Sequence, residues 1–491
     1  MLAAIDGLPW APWTIVVPLI GSTLTILVGR RRVVFVGVAS VFVTALFAGG
    51  ALMRLARVGP ERHSVGGWEA PLGIELAIDG WGVGFVALTS VVSIAIAMYA
   101  AHSSQGEVLQ IRFWSLFLIL LGGLNALFLS GDLFNLYVTL EIVGVSAAGL
   151  TAMERKREAV QAALQYLLLS IVGSFSYLTA VVLIYREHAT LDLALLAVRS
   201  TETPLAAITV ALMTAGLILK AALFPLHTWL PPAHSSAPAS VSALLSGLVV
   251  KGSFFVLLRV ALATWPTLWG EAMALVLGLL GSAAAFWGYG QALRSNRLKT
   301  MFAYCTVAQT GQLFLVFPLA AAGSDVAVGG VLLLAASHAL AKSAAFLAAG
   351  NVVRATGRDH LEDLAACAPR MPMTQATFAF AALSLIGLPP SAAFLGKWLL
   401  FEAAITTHQW IWPGVLIVAT LLCAALMLRI LESTLGQRSE ATSPIACVPT
   451  GCEWPPLALA IMAAVLGALG GPILSLAQQV SGPAAGLVGA K

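Results

Sequence analysis

Apolar runs of about twenty residues recur along the whole chain, separated by short polar segments that hold nearly all of the charge. That length suits a helix crossing a hydrocarbon core, whereas barrel strands need only about ten residues of alternating polarity. The pattern predicts an all-α polytopic membrane protein with about fourteen transmembrane helices. Their expected centres lie near Leu19, Thr44, Val91, Leu121, Glu141, Val172, Leu217, Val249, Leu279, Thr310, Leu334, Ser391, Thr420 and Ala464. The longest polar stretches, 55–80, 351–374 and 432–454, read as connectors, and no soluble domain is expected.

Two runs are interrupted by proline. In the seventh, Lys220 precedes Pro225, Pro231 and Pro232; in the twelfth, Pro389 and Pro390 precede Lys397. Proline removes a backbone donor and clashes with the preceding turn, so helices 7 and 12 should be discontinuous. Carbonyls freed at membrane depth persist only when buried in protein or facing a wet cavity. The lysine comes before the prolines in one span and after them in the other. This mirrored order, five spans apart, is what two inverted five-helix repeats would produce. Two ordinary proline kinks are the alternative reading.

Composition strengthens the membrane assignment. Of 491 residues, 59% are hydrophobic and 10% charged, against roughly 25% charged in soluble domains. The net charge of +4 carries no nucleic-acid signal, because basic residues cluster at helix ends, as in Arg30 to Arg32 and Arg155 to Arg157. Basic loops are expected at Arg30 to Arg32, Arg112, Glu154 to Glu158, Arg294 to Lys299, Arg354 to Arg370 and Arg429 to Arg438. That bias predicts a cytoplasmic (inner) membrane location with both termini on the non-cytoplasmic side. No cleavable signal peptide is expected, since the first residues lack a basic region. The cysteines Cys305, Cys367, Cys423, Cys447 and Cys452 form no C-x-x-C pair, so no iron–sulfur or zinc site is encoded. A Cys447–Cys452 disulfide stays open, although its loop falls on the reducing side. Phosphate-binding and dinucleotide fingerprints are missing, as is a soluble catalytic constellation. No metal or cofactor is expected, and a role within a larger enzyme stays open.

Charge inside the apolar runs is the informative feature. Glu141, Lys220, Lys251, Lys342 and Lys397 all lie within or near the middle of spans. Each ionised group there costs at least about 2.5–3.5 kcal/mol. One acid cannot pair four lysines, which favours ion conduction over simple pairing. Glu141 is expected to partner Lys220, either as a switchable pair or as a permanent bridge pinning two helices. Lys251 has no carboxylate in its own span, and a lysine in low dielectric suits a relay. His338 and Lys342 share a helical face at i, i+4. His227 and His234 flank the end of the seventh span, and histidine titrates in the range of a proton wire. A satisfied hydrogen-bonding histidine is the alternative, and a haem is disfavoured because the histidines sit among lysines and helix breaks. Ser170, Ser174, Ser176, Tyr177, Ser242, Ser246, Tyr304, Thr306 and Gln309 either hold ordered water between titrating groups or act as helix–helix glue.

The residues from Asp132 to Glu141, and from Lys220 through His227-Thr228-Trp229-Leu230-Pro231-Pro232-Ala233-His234 to Lys251, resemble the antiporter-like proton-translocating subunits of complex I, membrane-bound hydrogenases and Mrp antiporters. The likeness continues through Lys299 to Gly311, with Ala303-Tyr304 and Gln309, then His338 to Gly350 and Gly387 to Lys397. It spans roughly residues 110–430. The resemblance implies helices 1–3 over 1–110, a first five-helix repeat over 111–265, an inverted repeat over 266–435, and a connector with helix 14 over 436–491. It implies proton translocation through Glu141, Lys220, Lys251, His338, Lys342 and Lys397, with His227, His234, Tyr304 and Gln309 as candidate relays. Helix breaks would fall at Pro225, Pro231, Pro389 and Pro390. It implies other membrane proteins of a hetero-oligomeric complex as partners, protons as the ions moved with sodium a further candidate, and no cofactor in this chain. Lysine at position 397 looks like the D-type chain of the Mrp antiporter or the N-type chain of complex I and unlike the M-type, the His338–Lys342 pair looks more like the Mrp and hydrogenase branches, and together they favour the Mrp D-type chain. No long C-terminal extension of the L-type is expected. The alternative is a pumping component of a complex I-like NADH-quinone oxidoreductase or a membrane-bound hydrogenase.

Overall fold

The computed structural model describes residues 8–29, 32–103, 106–200, 203–264, 269–435 and 446–479. Of the expected basic loop residues, Arg30, Arg31 and Arg438 lie outside the described residues. The apolar elements in chain order are α1 (Trp10–Leu27), α2 (Val33–Val58), α3 (Gly80–Ala101), α4 (Glu107–Leu129), α5 (Leu133–Thr151) and α6 (Arg157–His188). There follow α7, in two pieces (Pro204–Lys220 and Leu230–Ser236), α8 (Ala239–Thr264), α9 (Gly270–Arg294), α10 (Leu298–Ala321) and α11 (Asp325–Thr356). The last are α12, also in two pieces (Pro372–Ile386 and Ala392–Thr406), α13 (Ile411–Leu435) and α14 (Thr450–Ala477). Among the described residues, twelve helices are long and apolar enough to cross a membrane, and α7 and α12 are interrupted. Every expected span centre falls in one of these elements, Ser391 lying in the α12 break.

Burial sorts the elements into layers. The apolar window of α8 is 100% buried and those of α10 and α11 are 94% buried, against 33% for α1, α2 and α13. Elements apolar all round belong in the interior, and these three carry Lys251, Gln309, His338 and Lys342 inward. Helices meet through glycine. A Cβ on Gly216 would lie 2.4 Å from the Gly173 carbonyl oxygen, and one on Gly396 would lie 2.6 Å from that of Gly330. Close approach through small residues is how membrane helices gain packing where no hydrophobic drive exists between them. Gly216→Val is therefore expected to force α6 and α7 apart, destabilising the fold by about 1–3 kcal/mol. A lower melting temperature in detergent, with weaker transport because Lys220 sits one turn further along α7, checks this.

The loops expected on one side do meet at one end of the bundle. Arg297 bonds Asp359 at 2.9 Å, Arg112 reaches the Met153 carbonyl at 3.4 Å, and Arg429 reaches the carbonyls of Leu293 at 2.5 Å and Ser295 at 2.9 Å. At the other end, the 55–80 connector is more ordered than its polarity suggested. It holds an antiparallel hairpin, β1 (Glu61–Ser64) with β2 (Glu75–Ile78), Glu61 lying opposite Ile78. Arg62 fixes it by pairing with Glu75 at 2.6 Å and with Asp192. A buried Asp79–Arg259 pair at 2.7 Å ties the start of α3 to the end of α8. All five cysteines are free thiols, so the Cys447–Cys452 bridge is not formed.

Candidate functional site

Lys220 is the last residue of the first α7 piece. The chain then turns through Ala221–Trp229 before the helix resumes, and the Trp229 indole closes the gap by donating to the Leu219 carbonyl at 3.0 Å. A helix C-terminus presents carbonyls and partial negative charge, which favours a cation there. The Lys220 ammonium donates to Glu141 Oε1 of α5 at 3.0 Å and to the Ser170 hydroxyl of α6 at 2.9 Å. Ser174, one turn from Ser170, donates to the same carboxylate. Each member of the pair thus has a second, neutral partner. A Cβ on Gly144 would lie 3.1 Å from the Ser170 hydroxyl that holds the lysine.

The other intramembrane lysines have no carboxylate within salt-bridge distance among the described residues. Lys251 of α8 donates to the Ser246 carbonyl at 2.5 Å. That carbonyl lies in a π turn, Leu245–Val249, which interrupts the regular helical bonding, a device often found at functional sites. The Ser246 hydroxyl bonds Thr306 of α10 at 2.7 Å. Lys342 of α11 donates to the Phe302 carbonyl at 2.9 Å, its nitrogen 5.6 Å from the centre of that ring. Lys397, in the second α12 piece, donates back to the Ile386 carbonyl at 2.8 Å and to Thr420 Oγ1 of α13 at 3.0 Å. Ile386 ends the first α12 piece, so both broken elements bring a lysine to a helix C-terminus.

The histidines divide. His234 and His338 are fully buried, and neither ring nitrogen of either has a hydrogen-bond partner among the described residues. His234 stacks on Phe346 at 4.5 Å between centroids and lies within electrostatic reach of Lys342, Lys251 and Lys299. His338 lies within such reach of Lys251, Lys397 and Lys342. Buried polar atoms without a protein partner are rare, and water is the usual remedy. His227 sits in the α7 break beside Phe224 and Tyr304, its ring 6.3 Å from that of Tyr304. Gln309 donates to the Leu385 carbonyl at 3.4 Å while its side-chain oxygen stays unpartnered.

Two expectations need correction. Pro231 does not break the seventh element: it lies in the first turn of the piece Leu230–Ser236, where its missing N–H costs nothing. Pro225, Pro389 and Pro390 do lie in the breaks. Ser176 donates to the Leu212 carbonyl and Tyr177 to the Leu133 carbonyl, so both tie helices together, as the glue reading of these hydroxyls expected. Lys299 is a buried lysine that the sequence places among the loop charges, because it follows Leu298 at the start of α10. It is buried and donates to the Ala237 carbonyl at 2.9 Å. It lines a cavity of about 670 Å³ at the basic end, with Glu154, Lys156, Arg297, Arg354 and Asp359. No sequence signal separates it from its loop neighbours.

These elements define a polytopic membrane protein whose innermost helices hold lysines on neutral oxygens beside buried histidines, with one ion pair at the flank. The chain belongs to the NADH:quinone oxidoreductase/Mrp antiporter transmembrane family, whose profile matches residues 130–424. It is 35% identical to the N component of the NADH-quinone oxidoreductase of Desulforudis audaxviator, over 96% of this chain and 97% of that one. It is 27% identical to the D component of the Na(+)/H(+) antiporter of Alkalihalophilus pseudofirmus, over 85% of each. Among solved structures it resembles a chain of the membrane-bound sulfane sulfur reductase, an archaeal respiratory membrane complex. That likeness has a TM-score of 0.89 at 26% identity and covers 97% of both chains.

Proposed function

We propose that this chain is the proton-translocating component of a multi-subunit cation/proton antiporter, occupying the place of the D-type chain of an Mrp complex. Protons move along Glu141, Lys220, Lys251, His338, Lys342 and Lys397, with His227, His234, Tyr304 and Gln309 as relays. One observation carries this reading: three intramembrane lysines rest on neutral oxygens, with no carboxylate of the described residues beside them. A carbonyl accepts from an ammonium and, more weakly, from a neutral amine. Such a lysine keeps its hydrogen bond whether or not it holds a proton, which a structural ion pair does not allow.

The two repeats, 111–265 and 266–435, are supported by their shared devices. Each has a broken element bearing a lysine at a helix C-terminus, and each has a glycine crossing onto it, Gly173–Gly216 and Gly330–Gly396. The gathering of basic loops at one end favours that end as the cytoplasmic one, with both termini opposite it, in the cytoplasmic membrane. Partner proteins are favoured by the outer face of α5. There Phe134, Val138 and Val145 are exposed beside Glu141, whose side chain keeps 28% exposure. A carboxylate facing lipid is costly, so a neighbouring membrane protein of the complex covers this stripe.

Lys397→Ala, assembled with its partners in vesicles, is expected to lower proton flux about 10²-fold, the usual worth of a positioned proton carrier. Flux unchanged with assembly intact would remove Lys397 from the path. The second reading, a pumping component of a complex I-like oxidoreductase, is favoured by the 35% identity to an N-type chain. Neighbouring reading frames separate the two: small hydrophobic antiporter components support the first, iron–sulfur and quinone-reducing ones the second.

A further inference from the structure

The cavity at the basic end runs from an exposed rim to a buried floor. Its volume is about 670 Å³, far more than the roughly 30 Å³ that one water molecule occupies. Lys156, Arg297 and Arg358 stand on the rim with side chains more than half exposed. Lys299 and Asp359 form the floor, at 8% and 5% exposure. The backbone holds these two together, since the Leu298 N–H donates to the Asp359 carbonyl at 2.7 Å. Asp359 Oδ1 accepts from Arg297 at 2.9 Å, while Oδ2 is buried without a hydrogen-bond partner among the described residues. A buried oxygen in that state is costly unless something donates to it. Inward, Lys299 borders the buried set. Its ammonium donates to the Ala237 carbonyl at 2.9 Å, and Ala237 lies three residues after His234, whose ring nitrogens are unpartnered. Phe302, one turn after Lys299 on α10, gives its carbonyl to Lys342 at 2.9 Å. The Phe302 ring packs at 5.8 Å against Phe346, on which His234 stacks.

We propose that this cavity is the mouth through which protons enter, with Asp359 collecting them and Lys299 passing them inward toward His234 and Lys342. This rests on the proton-path reading and names where that path opens. A proton taken up on Asp359 Oδ2 passes to cavity water as its O–H bond breaks, and that water gives up a proton as an N–H bond forms on the neutral Lys299 amine. Each O–H of the water that breaks is remade, and no electrons change hands. A roomy cavity with a polar lining is the kind that holds water. The chemistry of the floor selects the proton over other ions. A metal cation would meet the Lys299 ammonium and the Arg297 guanidinium, and a phosphate would meet the open Asp359 oxygen. A proton suits both groups, since a carboxylate accepts it and an amine carries it onward.

The test measures proton flux by the assembled complex in inverted vesicles, whose outer face is the cytoplasmic one. Lys299→Ala and Asp359→Asn are each expected to lower it at least about tenfold. Lys299→Arg separates transfer from structure. Arginine keeps the charge and donors for the Ala237 carbonyl but does not release its proton, so it should be as slow as alanine. Native flux with arginine would reduce Lys299 to a tie between α10 and α7. A second arm uses Cys447, an exposed thiol on the cavity wall. The membrane-impermeant reagent 2-sulfonatoethyl methanethiosulfonate forms a disulfide with it, the thiolate attacking the reagent's sulfur as methanesulfinate leaves. Applied outside inverted vesicles it should abolish most of the flux, and dithiothreitol should restore it. Cys447→Ser should be insensitive, and the reagent outside right-side-out vesicles should have no effect. Native flux in either the alanine or the asparagine variant overturns the proposal, as does a Cys447 adduct, verified by mass spectrometry, that leaves flux unchanged. A block seen only from the opposite face, or a Cys447 that the reagent never reaches, overturns it too. If the substituted chains do not assemble, the thiol arm decides. Lys342→Ala runs alongside: if it also keeps native flux, the whole path fails, and if it alone loses flux, only the mouth does.

Discussion

Lys251→Ala is expected to reduce proton flux about 10²-fold or more while leaving the amount of assembled complex unchanged. The two halves of that expectation come from one geometry. Lys251 is 1% exposed, its nitrogen rests on the Ser246 carbonyl, and no carboxylate of the described residues lies beside it. Removing an uncompensated buried charge relieves a desolvation cost, so the fold loses little. The path loses the only lysine on α8. Lys251→Arg sharpens the test. Arginine keeps the positive charge but does not give up its proton in a protein. If Lys251 served only as a fixed charge, arginine would preserve function; if it cycles between two protonation states, arginine should be as inactive as alanine. Flux in vesicles, normalised to assembled complex on a native gel, separates the two outcomes.

Much of this arrangement is legible in the chain because its signals are local. An apolar run of the right length, a proline inside it and a lysine within two turns of that proline are all read along one helix, and α7 and α12 follow from them. The Glu141–Lys220 contact is also within reach, since a single intramembrane acid leaves few choices of partner. What the chain does not announce are contacts whose acceptor is the backbone. That Lys342 rests on Phe302, or Lys251 on Ser246, depends on where a helix breaks or bulges, and a carbonyl carries no residue identity. For the same reason the sequence leaves two readings of Ser176 and Tyr177, and only the structure shows their hydroxyls bonded to carbonyls of α7 and α5. The hairpin of 61–78 looks like a plain connector, because each strand has only four residues and Arg62 gains one of its two partners, Asp192, from a distant segment.

Glu141→Gln is expected to cut flux by about 10²-fold, and restoring charge balance should not rescue it. The pair can be either a fixed bridge or a switch, and its surroundings argue for the switch. Ser170 stands ready to hold Lys220, and Ser174 to hold Glu141, when the 3.0 Å contact opens. A permanent bridge would need no such second partners. The double variant Glu141→Gln/Lys220→Met decides the matter. Removing one member of a buried pair strands the other, whereas replacing both by uncharged groups of similar size is often neutral or stabilising. On the structural reading, each single variant loses stability and flux together, and the double variant regains both. On the switching reading, the double variant regains stability, seen as a recovered melting temperature, but its flux stays at the level of the single variants. Recovery of flux in the double variant would reduce this ion pair to a pin between α5 and α7.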